Sequence, residues 1–123
     1  MTAYAFAHLR SVDVNAEIVE YLKKIDATLP EFGGRFLVHN RVPEVVDGTF
    51  EGVLVIIEFP STDAVKAWYH SPGYQEIVDL RINNTDGGAA FVEGVGPDYK
   101  AAALAADIEA AAAAAAASAA AAE

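Results

Sequence analysis

Residues 1–96 predict an α+β domain in which four antiparallel strands form one sheet and two helices cover one of its faces. Three observations carry this. Four apolar runs with strand character occur at AYAFAHLRSV (3–12), GRFLVHNRV (34–42), VLVIIEF (53–59) and AAFVEGV (89–95). Helical periodicity follows the first and third of them, and Asp47-Gly48, a hairpin signal, lies between the second and third. The order is therefore βαββαβ. At 123 residues the chain suits one such domain with an ordinary core.

In the first strand Tyr4, Phe6, His8 and Arg10 share one face and Ala5, Ala7 and Leu9 the other, where small residues suit close helix packing. Asp13 or Asn15 is suited to cap the first helix, whose inner positions are Ile18, Leu22, Ile25 and Leu29. Glu17, Glu20, Lys23 and Lys24 point mostly outward, and Pro30 with Gly33-Gly34 ends the helix. The second and third strands pair antiparallel, with residues 44–46 extending the second and Pro43 marking an edge or a bulge.

The run PSTD (60–63) starts the second helix, which carries Val65 and Trp68 inward, breaks at Ser71-Pro72-Gly73 and resumes with Tyr74, Ile77, Val78 and Arg81. Residues 83–88, NNTDGG, read as a loop by composition, and the last strand begins at Ala89. Residues 97–123 are an alanine-rich extension. Alanine favours a helix there, yet a one-methyl side chain supplies little packing energy, and no function is assigned to the segment.

This order is the ferredoxin-like arrangement, which leaves one sheet face bare. Tyr4, Phe6 and His8, with Leu37 and Ile56, make that face too apolar to stay wet. A second copy is expected to cover it, giving a homodimer built sheet on sheet.

The stretches GGRFLV (33–38), VIIEFPSTDAVKAWYHSPGYQ (55–75), DLR (79–81) and FVEGV (91–95) resemble the bacterial family catalogued as domain of unknown function 1330, DUF1330, among the dimeric α+β barrels. The resemblance covers residues 1–96 and implies the same fold and a dimer. Its wider relatives include cofactor-independent monooxygenases of electron-rich aromatics, isomerases of small lactones, haem-degrading enzymes and plain ligand binders. Arg35, Glu58, Trp68, Ser71, Tyr74 and Arg81 stand at positions that match the family pattern.

Composition excludes several functions. Eight basic against eighteen acidic residues give a net charge of −10, and before Pro97 seven against fourteen leave −7, so the excess is spread along the chain. Such a surface repels phosphate backbones and anionic lipid, and neither nucleic-acid nor membrane partners are expected. Cysteine is absent, which removes disulfides, thiol nucleophiles and thiolate metal sites. The first fifteen residues lack a basic leader and a long apolar run, and the alanine tract carries Asp107 and Glu109 and lacks large aliphatic residues. The expected location is cytoplasmic.

The sequence leaves two readings open at most candidate residues. Ser71 has the hydroxyl of an N-cap with Pro72 at the first helical position; alternatively the N–H groups of Gly73 and Tyr74 hold a carboxylate or enolate, with Trp68 and Tyr74 as walls. Arg35 either pairs with Glu58 on the neighbouring strand or meets an anionic substrate, and Arg81 either closes a helix end or does the same. His8 and His39 lie on strands able to neighbour each other and read as core or interface histidines, or as a base or a metal ligand. They form no close ligand motif, so no metal is expected. His70 is placed in solvent at the bend.

No dinucleotide-type glycine loop and no nucleophile elbow occurs. The functional expectation is a dimer whose helix-to-sheet cleft binds a small aromatic or carboxylated molecule, with cofactor-free proton transfer or oxygenation as its chemistry. Glu58 or His39 would be the base, Arg35 and Arg81 would hold an anion, and Trp68 and Tyr74 would shape the pocket. The alternative is a non-catalytic ligand-binding or structural dimer.

Overall fold

Alternation along the first strand decides which face of the sheet is covered. Ala3, Ala5, Ala7 and Leu9 are buried beneath the helices, whereas Phe6 on the other face is 37% exposed. The computed structural model describes residues 1–122. Its elements are β1 (Ala3–Val12), α1 (Ala16–Thr28), a 3-10 turn (Pro30–Phe32), β2 (Arg35–Arg41), β3 (Val53–Phe59), α2 (Thr62–Tyr69), α3 (Pro72–Gln75), α4 (Val78–Ile82), β4 (Thr85–Glu93) and α5 (Ala101–Ala122). The strands order β2-β3-β1-β4, every pair antiparallel, which is the ferredoxin-like sheet.

Asn15, and not Asp13, caps α1: its side-chain oxygen accepts from the backbone N–H groups of Glu17 and Ile18 at 3.0 and 3.1 Å. Its amide nitrogen also donates to Asn84 Oδ1 at 2.6 Å, which ties the start of α1 to the end of α4. Ile18 and Ile25 are buried as expected, but Leu22 is 43% exposed and Tyr21, at 7%, takes the inner position. The stripe is rotated because α1 packs chiefly on α3, α4 and the 3-10 turn, to one side of the sheet. Phe59 and Val65 are the most deeply buried large side chains, with Ile57, Trp68, Tyr74 and Ile77 packed in the same cluster.

Four further expectations are corrected. β4 starts at Thr85 and not at Ala89, because Thr85 and Asp86 pair with Val12 and Ser11 at the far end of the long β1. Backbone pairing overrides the loop-like composition there. Gly87 accommodates the accompanying register shift at φ 156°, where a Cβ would collide with His8 O. Residues 44–46 do not extend β2, which ends at Arg41 after Asn40 turns to φ 55°.

β2 does not alternate strictly. Phe36 faces Ile57 and Val38 faces Ile56, so Leu37 is an extra residue that bulges the strand and returns His39 to the side of Phe36. Finally, β3 separates β1 from β2, so His8 and His39 are not on neighbouring strands.

The second helix is three short pieces. The uncovered sheet face carries a shallow depression lined by Tyr4, Phe6, Leu37, Leu54, Ile56 and Val92. α5 is exposed along its described length; by length and composition alone it is apolar enough to cross a membrane, and it holds Asp107 and Glu109.

Candidate functional site

The alanines of β1 do not draw the helices tightly onto the sheet. A cavity of about 750 Å³ lies between the two layers, floored by Ala5, Ala7 and Leu9 and walled by Tyr21, Ile25, Trp68, Tyr69, Tyr74 and Phe91. It exists because methyl side chains face an α1 whose main contacts are with other helices. Its size and largely apolar lining suit a small organic molecule.

Few polar groups reach this space. The phenol oxygens of Tyr21 and Tyr74 lie 2.8 Å apart, and Arg81 Nε donates to Tyr74 Oη at 3.4 Å. Tyr74 is 2% exposed. Burial pushes the Tyr21 phenol well above its ordinary range, and the neighbouring Tyr74 adds to the shift, so Tyr21 keeps its proton at neutral pH. Burial alone would lower Arg81, but the two phenols outweigh it and hold the guanidinium above its ordinary range.

On the other side, His39 stacks on Phe36 with ring centroids 4.6 Å apart. Burial lowers its pKa below the ordinary 6.5, opposed by Asp26, so the imidazole is neutral at pH 7 and has a nitrogen free to accept a proton.

Trp68 is 3% exposed and packs against Tyr74 and Phe59 at centroid distances of 4.1 and 5.2 Å. It is core and cleft wall at once. At the break, Ser71 Oγ accepts from the Tyr74 N–H at 3.4 Å and donates to Trp68 O at 2.6 Å, with Pro72 at the first helical position. The Tyr74 N–H is therefore occupied, and the break is the bend that turns the Tyr74 ring inward.

The structure separates the other candidates from the cleft. Arg35 Nε and Glu58 Oε1 pair at 2.9 Å, with Glu58 set opposite Tyr4 on the uncovered sheet face. Ile57 and Phe59 point to the helices, so alternation forces Glu58 to the far side, and Glu58 with Arg35 does not share a pocket with His39. His8 is on the uncovered face too, stacked on Phe50 at 4.2 Å and bonded to the Glu51 carbonyl. His70 is exposed at the end of α2. Among the described residues no group of three or more His, Asp or Glu side chains is placed to hold a metal ion.

Sequence reasoning missed Tyr21, Tyr69, Phe36 and Phe91. Tyr21 was legible, since it lies three residues after Ile18 and four before Ile25. Phe36 with His39 was not, because their juxtaposition depends on the bulge at Leu37.

A family model described as "Domain of unknown function (DUF1330)" matches residues 2–95. No curated protein matches the chain. Among solved structures, the RPA0582 protein of Rhodopseudomonas palustris is similar at TM-score 0.61 and 15% identity, over 80% of this chain and 84% of that one. A protein from Jannaschia sp. CCS1, described as dimeric, ferredoxin-like and of unknown function, gives TM-score 0.55 and 15% identity over 78% and 100%. A hypothetical Arabidopsis thaliana protein gives TM-score 0.55 and 13% identity over 80% and 90%. At these identities the likeness concerns the fold.

Proposed function

This chain belongs to the DUF1330 family, and from the cleft between its helices and sheet we propose that it is a homodimer binding a small aromatic or carboxylated molecule. The cavity of about 750 Å³, aromatic and aliphatic with a few polar groups at its edges, is the observation that carries the reading. The dimer reading rests on the apolar depression around Phe6 and Ile56, which water solvates poorly, and on the description of the Jannaschia protein as dimeric.

The chemistry that suits the cleft is cofactor-free proton abstraction with His39 as base, because a neutral imidazole at the pocket wall accepts a proton at physiological pH. Trp68 and Tyr74 shape the pocket. Glu58 and Arg35 then serve as an ion pair at the dimer interface instead of acting on the ligand.

Native mass spectrometry of the protein gently purified from its source cells tests this. The expected result is a dimer carrying a releasable small molecule, lost in Ala7→Leu, which fills the cavity floor. A dimer that never carries or takes up a small molecule overturns the binding reading. A bound molecule returned unchanged, with His39→Gln equal to the parent, leaves a ligand-binding dimer without catalysis.

A further inference from the structure

We propose that Tyr21, Tyr74 and Arg81 form an anion-receiving end of the cleft, which takes one oxyanion of a ligand whose remaining body is apolar. The proposal rests on the reading that this cleft binds a small molecule, and deepens it by naming the charge and placement of the ligand's polar group.

Hydrogen-bond arithmetic leads to it. Two phenols bring two O–H protons, and the bond between Tyr21 and Tyr74 uses one. Tyr74 Oη also receives the Arg81 Nε proton. If Tyr74 donates to Tyr21, the Tyr21 proton has no acceptor; if Tyr21 donates, the Tyr74 proton has none. Either way one buried O–H is left without a protein acceptor among the described residues, on side chains 7% and 2% exposed. A donor of this kind is costly to leave unmade.

The charge balance points the same way. Arg81 lines the cavity with its guanidinium set against both phenols. The ion pairs among the described residues are Arg10–Asp86, Lys24–Glu20 and Arg35–Glu58, so this partly buried guanidinium has no carboxylate partner in a chain with an excess of carboxylates. A cation in an apolar setting calls for an opposite charge. The spare phenol proton and the guanidinium lie on adjacent groups, an arrangement that suits the two oxygens of a carboxylate or the single oxygen of a phenolate. The aliphatic and aromatic lining then receives the rest of the ligand.

Three probes of similar bulk test the site by calorimetry: 1-naphthoate, 2,4-dinitrophenolate and the neutral naphthalene-1-methanol. The expected result is binding of at least one anion about tenfold or more tighter than the neutral probe. Arg81→Met should shrink that preference to about twofold, Arg81→Lys should restore part of it, and Tyr21→Phe should weaken the anion several-fold with the neutral probe unaffected. Thermal melts confirm that each variant folds, and the two anions distinguish carboxylate from phenolate.

Equal binding of anion and neutral probe, or a preference that survives Arg81→Met, overturns the anion site and leaves the cleft reading standing. Failure of all three probes to bind the folded protein overturns the cleft reading, and the anion site with it.

Discussion

The indole N–H of Trp68 donates to Thr28 Oγ1 across 2.9 Å, and Thr28 Oγ1 donates in turn to the Ile25 carbonyl at 2.7 Å. The end of α2 is thereby fastened to the last turn of α1. The ring also closes one wall of the cleft, so a single residue couples stability to pocket shape. Trp68→Ala should cost about 3–5 kcal/mol, as expected for removing a buried aromatic ring. Urea unfolding measures this, and an unchanged midpoint would contradict the core role.

Phe6 stands at the centre of β1 on the uncovered face, beside Tyr4 and Ile56. Phe6→Asp should turn the proposed dimer into a monomer, because an unpaired carboxylate at such an interface is strongly disfavoured. Sedimentation velocity reads the outcome directly. An intact dimer would place the interface elsewhere.

His39 makes stability depend on pH. Its folded pKa lies below the ordinary 6.5, so under mildly acidic conditions the unfolded chain binds the proton that the folded chain does not. Its stabilising contribution is whole above pH 6.5 and is lost as the pH falls from there towards the depressed folded value. His39→Gln should therefore flatten the decline in melting temperature between about pH 7 and pH 5. A steeper decline in the variant would reverse the sign of the argument.

Gly52 enters β3 at φ 87°, and a Cβ there would overlap Leu9 O at 1.9 Å. Unlike a clash with the tip of a flexible side chain, this one meets the backbone of the central strand. Gly52→Ala should destabilise by about 1–3 kcal/mol through strain alone, more if the β2–β3 connection is displaced. Gly48→Ala is the comparison, since its added methyl meets nothing within 4 Å and only the positive φ is penalised. Equal melting temperatures for the two variants would remove the packing argument.

Within β1 and β3, face assignment was legible because a period of two leaves little freedom: Ala5 in and Phe6 out follow from order alone, and so does Ile57 in and Glu58 out. The same rule, applied to the continuous run VLVIIEF, would have removed Glu58 from the cleft at once. β4 was misread from composition because the partners of Thr85 and Asp86 lie more than seventy residues away, on β1. In the same way the Arg81–Tyr74–Tyr21 cluster brings together α4, α3 and α1, and only the packing of those helices places Arg81 Nε 3.4 Å from a phenol.

By itself the sequence determined the element order, the pairing of β2 with β3 and the apolar character of the bare sheet face, and it narrowed the first cap to Asp13 or Asn15, all of which follow from local periodicity and turn chemistry. The tertiary structure alone decided that the alanine floor would open a cavity, that a bulge at Leu37 would bring His39 to it, and that Arg81 would lie there with no carboxylate partner among the described residues. Local rules state which way a side chain points along its own element; how far two layers stand apart, and which charges meet between them, depends on contacts between segments distant in the chain.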